Sequence, residues 1–148
     1  MKNLRLATIL SLVFILSGCA SSKQGSGMPY LTVGGKTVEI ELARTSAERI
    51  KGLSGHAPLK QNQGMLFVFN EYTPRTFWMK DMLFPLDIIW IKDDTVTKIS
   101  PDLPPEGSNP QKLYESGEAV NYVLEVSAGW AQMNKIKAGD KVSYHYDQ

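Results

Sequence analysis

The chain of 148 residues contains one cysteine and two histidines. A single thiol excludes an internal disulfide framework, and His56 and His145 do not stand at a metal-ligand spacing such as His-x-x-x-His, so neither a metal nor another cofactor is expected. Neither charge sign is in excess, with 16 basic against 15 acidic residues, which leaves no electrostatic footprint for nucleic acid. Gly-x-Ser-x-Gly and Gly-x-Gly-x-x-Gly are both missing, so a serine-hydrolase or dinucleotide reading has no motif to rest on. Long apolar runs are missing too: the one extended run, residues 6–16, is short of the roughly 20 apolar residues that a permanent membrane helix needs.

That run has a context. Lys2 and Arg5 precede it and Leu16-Ser17-Gly18-Cys19 closes it, the order of a secretory signal: a positive start, a short apolar stretch and small residues at the cut. The tetrapeptide ending in cysteine resembles the lipobox of bacterial lipoproteins, whose thiol accepts a diacylglyceryl group. The sequence therefore predicts residues 1–18 as a lipoprotein signal peptide and Cys19 as the lipidated first residue of the mature chain. Each buried methylene contributes roughly 0.8 kcal/mol, so two or three acyl chains anchor durably in a bilayer. Ala20, just after the lipid site, is compatible with sorting to the outer membrane, and the expected location is its periplasmic face. Loss of Lys2 and Arg5 leaves 14 basic against 15 acidic residues. Residues 19–29 are small, polar and glycine-rich, the composition of a flexible tether. Residues 30–148 form a single domain, expected as a monomer.

The domain reads mainly as strands. Gly34-Gly35 marks a two-residue hairpin turn between residues 30–33 and 36–42, and Val38, Ile40 and Leu42 alternate with Glu39 and Glu41. Thr45 to Glu48 resembles a capping box opening a short helix that Gly52 stops. Residues 64–69 and 85–91 are almost continuously apolar, as in strands covered on both faces. A further strand is expected over 95–99. Residues 101–117, with four prolines, read as a long loop, functional or mobile. Strands over 120–126 and 141–146 flank a helical turn or two near Ala128 to Lys135. The fold class is mostly β: a small β-sandwich or barrel carrying one or two short helices. Phe67, Phe69, Phe77, Trp78 and Trp90 read as core ahead of a ligand platform, and Trp130 as partly exposed.

Six strings occur in an order that resembles the bacterial and archaeal family known as domain of unknown function 192: Gly52-Leu53, Gly64 to Phe67, Phe77 to Lys80, Pro85 to Ile88, Leu124 to Val126 and Gly139-Asp140. The resemblance spans about residues 32–146 and implies a compact, mostly β domain; the family's activity is not established. The chain departs from the usual pattern at Ser54-Gly55-His56 and Asp81-Met82.

Polar residues set inside apolar strings are the candidate site. Lys80 follows Phe77-Trp78-Met79, Asp87 sits between Leu86 and Ile88, and Glu125 sits between Leu124 and Val126. A charge buried alone costs several kcal/mol, so such a residue pairs, bonds to backbone or lines a pocket. One reading is a cleft where Arg49 and Lys80 meet an anionic or polyhydroxylated ligand, Asp87 and Glu125 orient it, and Trp78 stacks on it. The other is scaffold, with both carboxylates satisfying Arg49, Lys80 or backbone amides. The functional expectation is a tethered binding or accessory module for an envelope component, such as a small solute, a glycan or a membrane-associated protein. The alternative is an envelope hydrolase with Asp87 and Glu125 as acid and base, which requires carboxyl separations of about 5 Å or about 6.5–9.5 Å. No residue is assigned a catalytic role on the preferred reading.

Overall fold

A computed structural model describes residues 27–147. The signal segment, Cys19 and the tether as far as Ser26 lie outside the described residues, as does Gln148.

Gly34 and Gly35 both take positive φ and turn β1 (Tyr30–Val33) back onto β2 (Lys36–Ala43) as an antiparallel hairpin. Helix α1 (Ser46–Lys51) then starts at a complete capping box: the Thr45 hydroxyl accepts the Glu48 amide at 3.2 Å, and the Glu48 carboxylate accepts the Thr45 and Arg44 amides at 2.8 Å. Those amides hold the Glu48 carboxyl below its ordinary pKa. The crossover through α1 brings β3 (Gln63–Phe77) alongside β2 in parallel. Next come β4 (Leu86–Lys92), β5 (Thr95–Leu103), β6 (Tyr114–Ser127), the single-turn helix α2 (Trp130–Met133) and β7 (Val142–His145).

All seven strands belong to one sheet in the order β5-β4-β6-β3-β2-β1-β7. The sheet curls until its two edges meet at one corner, where the Val96 amide donates to the Asp140 carbonyl at 2.9 Å and the Val142 amide to the Asp94 carbonyl at 2.7 Å. The result is a half-barrel and not two stacked sheets. Its inner face holds Leu31, Val38, Leu66, Ile89 and Leu124, with Trp130 and Ala131 of α2 packed among them. Its outer face carries a second cluster over β3, β6 and β4, in which Phe67, Ile88, Trp90 and Val123 are covered by Leu53, Met79 and Phe84. Burial on both faces explains why β4 is apolar at nearly every position.

Two expectations are corrected. Trp130 is 2 % exposed, and its indole N–H donates to Asn62 Oδ1 at 3.1 Å: α2 is driven into the half-barrel by its own apolar face. The proline-rich stretch is shorter and better tied than a free loop. β5 runs on to Leu103 and tolerates Pro101 because it is an edge strand. Between β5 and β6, the Glu106 amide donates to the Met79 carbonyl at 2.9 Å and the Asp81 amide to the Gly107 carbonyl at 3.2 Å, so this segment is part of the outer cover.

Where β3 and β6 cross the core they are unusually close. A methyl group on Gly64 would lie 2.6 Å from the Glu125 carbonyl oxygen and 3.1 Å from Val126 Cγ1. Gly64→Ala is expected to destabilise the fold by about 2 kcal/mol through overpacking. Urea denaturation measures this, and an unchanged midpoint would show that the two strands separate freely.

Candidate functional site

β2 accompanies β3 only as far as Ala43 opposite Phe67. From there to Phe77 the strand has β6 as its neighbour, and its register shifts between Val68 and Thr73 and again between Pro74 and Thr76. Such bulges bend a strand and re-aim its side chains. Beside the open edge lies α1. Arg49 on that helix donates through Nη1 to the Val68 carbonyl at 3.0 Å and to the carbonyl of Arg44, so its guanidinium stands in for the missing strand. Gly52 ends α1 with φ +49, and a Cβ there would meet the Phe67 ring at 3.3 Å, so the helix end sits directly on that ring.

Between α1 and the distal half of β3 lies a cavity of about 470 Å³. Small-molecule sites span roughly 300–1,000 Å³. Phe67, Phe69, Phe77 and Trp78 contribute its aromatic walls, and Arg49, Lys51 and Arg75 are its basic residues. Glu125 reaches it from the sheet beneath.

Glu125 is opposite Met65 of β3 on one side and Ile88 of β4 on the other. It is 4 % exposed, and its carboxyl has no hydrogen-bond or ion-pair partner among the described residues. Burial alone pushes its pKa up to about 8, so near neutrality the side chain is mostly the neutral acid, able to donate as well as accept a hydrogen bond.

Arg75 lies with its guanidinium 3.8 Å from the centre of the Phe69 ring, and Arg49 approaches the same ring at 5.1 Å. One Arg75 terminal nitrogen, Nη2, donates to the Glu71 carbonyl at 2.6 Å, while Nε is shut away without an acceptor. Burial lowers the pKa of Arg75, and the neighbouring Arg49 charge adds to this against the pull of Glu71.

Arg49, Trp78 and Glu125 thus border one cavity. Lys80 does not line it: its ammonium lies 6.0 Å from the Trp78 ring, and its backbone forms a bridge to Glu106. Asp87 is on the other face of the sheet. It stands opposite Val126, one position from the Ile88–Glu125 pair, and successive strand residues point to opposite faces. Its fully buried carboxylate accepts the Asp102 amide at 2.9 Å, the Gly129 amide at 3.1 Å and the Ala131 amide at 2.9 Å. Asp87 therefore binds backbone inside the half-barrel, and the sheet separates it from Glu125, so a cleft holding both carboxylates is not formed. The aromatic set divides as well: Trp90 is core, with its indole N–H on Ser100 Oγ at 2.9 Å, whereas Trp78 is 46 % exposed beside the cavity. His56 is half-buried in a loop, and His145 is exposed and stacked on Tyr30 at 4.4 Å between ring centres. Among the described residues no cluster of three or more His, Cys, Asp or Glu side chains is disposed to hold a metal.

No local signal marks Arg75 as a site residue. Asn70 to Pro74 has the composition of a turn, yet these residues continue β3 through a bulge, and only the paired strand carries Arg75 back over Phe69.

A curled seven-stranded sheet with one crossover helix and a cavity under that helix defines a small β-domain class. The chain belongs to the family called domain of unknown function 192, described as an uncharacterized ACR, whose model matches residues 30–144. Two solved structures are similar. A candidate transcription regulator from Sinorhizobium meliloti 1021 is 30% identical, with a TM-score of 0.72 over 78% of this chain and 92% of that one. A protein of unknown function from Novosphingobium aromaticivorans DSM 12444 is 37% identical, with a TM-score of 0.70 over 77% of this chain and 83% of that one. No curated protein matches the chain.

Proposed function

We propose that this protein is a membrane-anchored binding module of the cell envelope: lipid on Cys19 holds it at the periplasmic face of the outer membrane, residues 19–29 tether it, and the cavity beside α1 takes a small molecule. The observation that carries the reading is Glu125, a nearly fully buried carboxyl with no partner among the described residues, bordering a cavity of ligand size. The Glu125 carboxyl oxygens are not fully enclosed, so they open onto the cavity they border. A carboxyl kept for structure has partners, as the three amides on Asp87 illustrate. Binding is preferred to acid–base hydrolysis because the second carboxylate lies across the sheet.

Wild-type full-length chain isolated from membranes is expected to release a bound small molecule on denaturation, detectable by mass spectrometry. Thr76→Trp, which fills the cavity from its wall, should lack that molecule while remaining folded. The same set of molecules from both would overturn the cavity as the site. In the same preparation Cys19→Ser should abolish fatty-acid labelling, and a labelled variant would overturn the anchor.

A further inference from the structure

We infer that the cavity selects a small organic acid with an extended apolar body, its carboxylate against Arg75 and a hydroxyl or carbonyl at its far end against Glu125; the inference rests on the cavity being a binding site.

Three observations carry it. The first is charge: Arg49, Lys51 and Arg75 border the cavity, and Glu125 is the single acidic side chain that does. The second is which donors are uncommitted. Arg49 is occupied by the carbonyls of Arg44 and Val68, and Lys51 sits on the exposed last turn of α1. Arg75 gives only Nη2 to the Glu71 carbonyl, and although its Nε is shut away, Nη1 has no acceptor among the described residues, while stacking on Phe69 holds the guanidinium in place. A planar fork of N–H donors with spare capacity matches a carboxylate better than a lone hydroxyl or amide. The third is shape. Glu125 lies beside Met65, and the two guanidiniums lie over Phe69, four residues farther along β3. At about 3.3 Å per strand residue these rows are roughly 13 Å apart, with the Phe67 ring between them. A compact ion cannot reach both ends, whereas an elongated acid lying along Phe67, Phe69 and Trp78 can. At the far end Glu125, present mainly as the neutral acid near neutrality, can donate to a carbonyl or accept from a hydroxyl.

The test uses the full chain in lipid nanodiscs at pH 7 and three probes of one skeleton: 4-hydroxyphenylpropanoate, its primary amide and the corresponding amine, with affinity read by calorimetry. The acid is expected to bind about tenfold tighter than the amide, on the order of one charge-assisted hydrogen bond. The amine should bind weakest. Arg75→Gln should bring acid and amide within about twofold of each other, Arg75→Lys should retain most of the preference, and Glu125→Gln should leave it intact. Equal binding of acid and amide by the wild type, or a preference that survives Arg75→Gln, would overturn the inference and leave the cavity as a binding site. No binding of any of the three probes would overturn both.

Discussion

Asp87→Ala is expected to lower the folding stability by about 4 kcal/mol. Its carboxylate is fully buried and accepts three backbone amides from three separate segments: Asp102 at the end of β5, Gly129 in the turn before α2, and Ala131 within α2. Hydrogen bonds to a charged acceptor contribute about 1.5–3 kcal/mol each, and truncation leaves three donors without a partner inside the half-barrel. Asp102 also has φ +53, a conformation disfavoured for a residue with a Cβ and sustained here by that bond. With domain stabilities of about 5–15 kcal/mol, the variant should be marginally folded at best. Asp87→Asn preserves the acceptor oxygen but turns an N–H2 group toward one of the amides, so about half the loss is expected. Urea denaturation gives both values. A loss below about 1 kcal/mol for the alanine variant would mean that water replaces the carboxylate and that α2 is held by Trp130 packing alone.

Raising the pH from 4 to 9 is expected to cost the wild type several kcal/mol of stability, and Glu125→Gln should remove most of that loss. The carboxyl has an ordinary value of 4.5 and is pushed up to about 8 by burial in the folded state. Between those two values the unfolded chain releases the proton while the folded chain keeps it, so stability is fully present below about pH 4.5 and declines as pH rises toward 8. A tenfold difference in proton affinity between the folded and unfolded chain corresponds to about 1.4 kcal/mol. Above pH 8 both states are ionised, and no further loss arises from this group. Glutamine cannot ionise, so the variant should be the more stable protein at pH 8, and its denaturation midpoint should be flatter across the range. Parallel pH profiles for the two proteins would show that Glu125 is ionised in the folded state at neutrality, which would place an unseen cation or water network at the cavity floor.

Asp87 and Glu125 look alike in sequence, each a carboxylate inside an apolar string, and the fold assigns them opposite situations. Their difference is one of strand parity. Asp87 of β4 stands in register with Val126 and Glu125 of β6 with Ile88, so one side chain enters the half-barrel and the other faces the outer cover. Local sequence cannot supply this, because the parity of a side chain is set by which strand pairs with which and by the direction in which the sheet curls.

Much of the framework was legible from local signals. The Gly34-Gly35 hairpin, the Thr45–Glu48 capping box and the doubly buried run of β4 are each decided by interactions spanning a few residues, and the structure contains all three. The mostly β class followed from the number of such strands. What local signals did not show is long-range: the parallel pairing of β2 with β3, the bulged continuation of β3 through Tyr72 and Pro74, and the burial of Trp130. The cavity belongs to this second group. It exists because β2 leaves β3 at Phe67 and α1 fills the vacated edge incompletely, a consequence of crossover geometry that no run of residues encodes by itself. The sequence by itself determined the central part of most strands, the Gly34-Gly35 turn, the start of α1 and which side chains carry charge into apolar surroundings, since propensity, capping and periodicity act within a few residues. Only the tertiary structure decided that Asp87 is satisfied and Glu125 is not, because partners for a buried carboxyl come from segments distant in the chain.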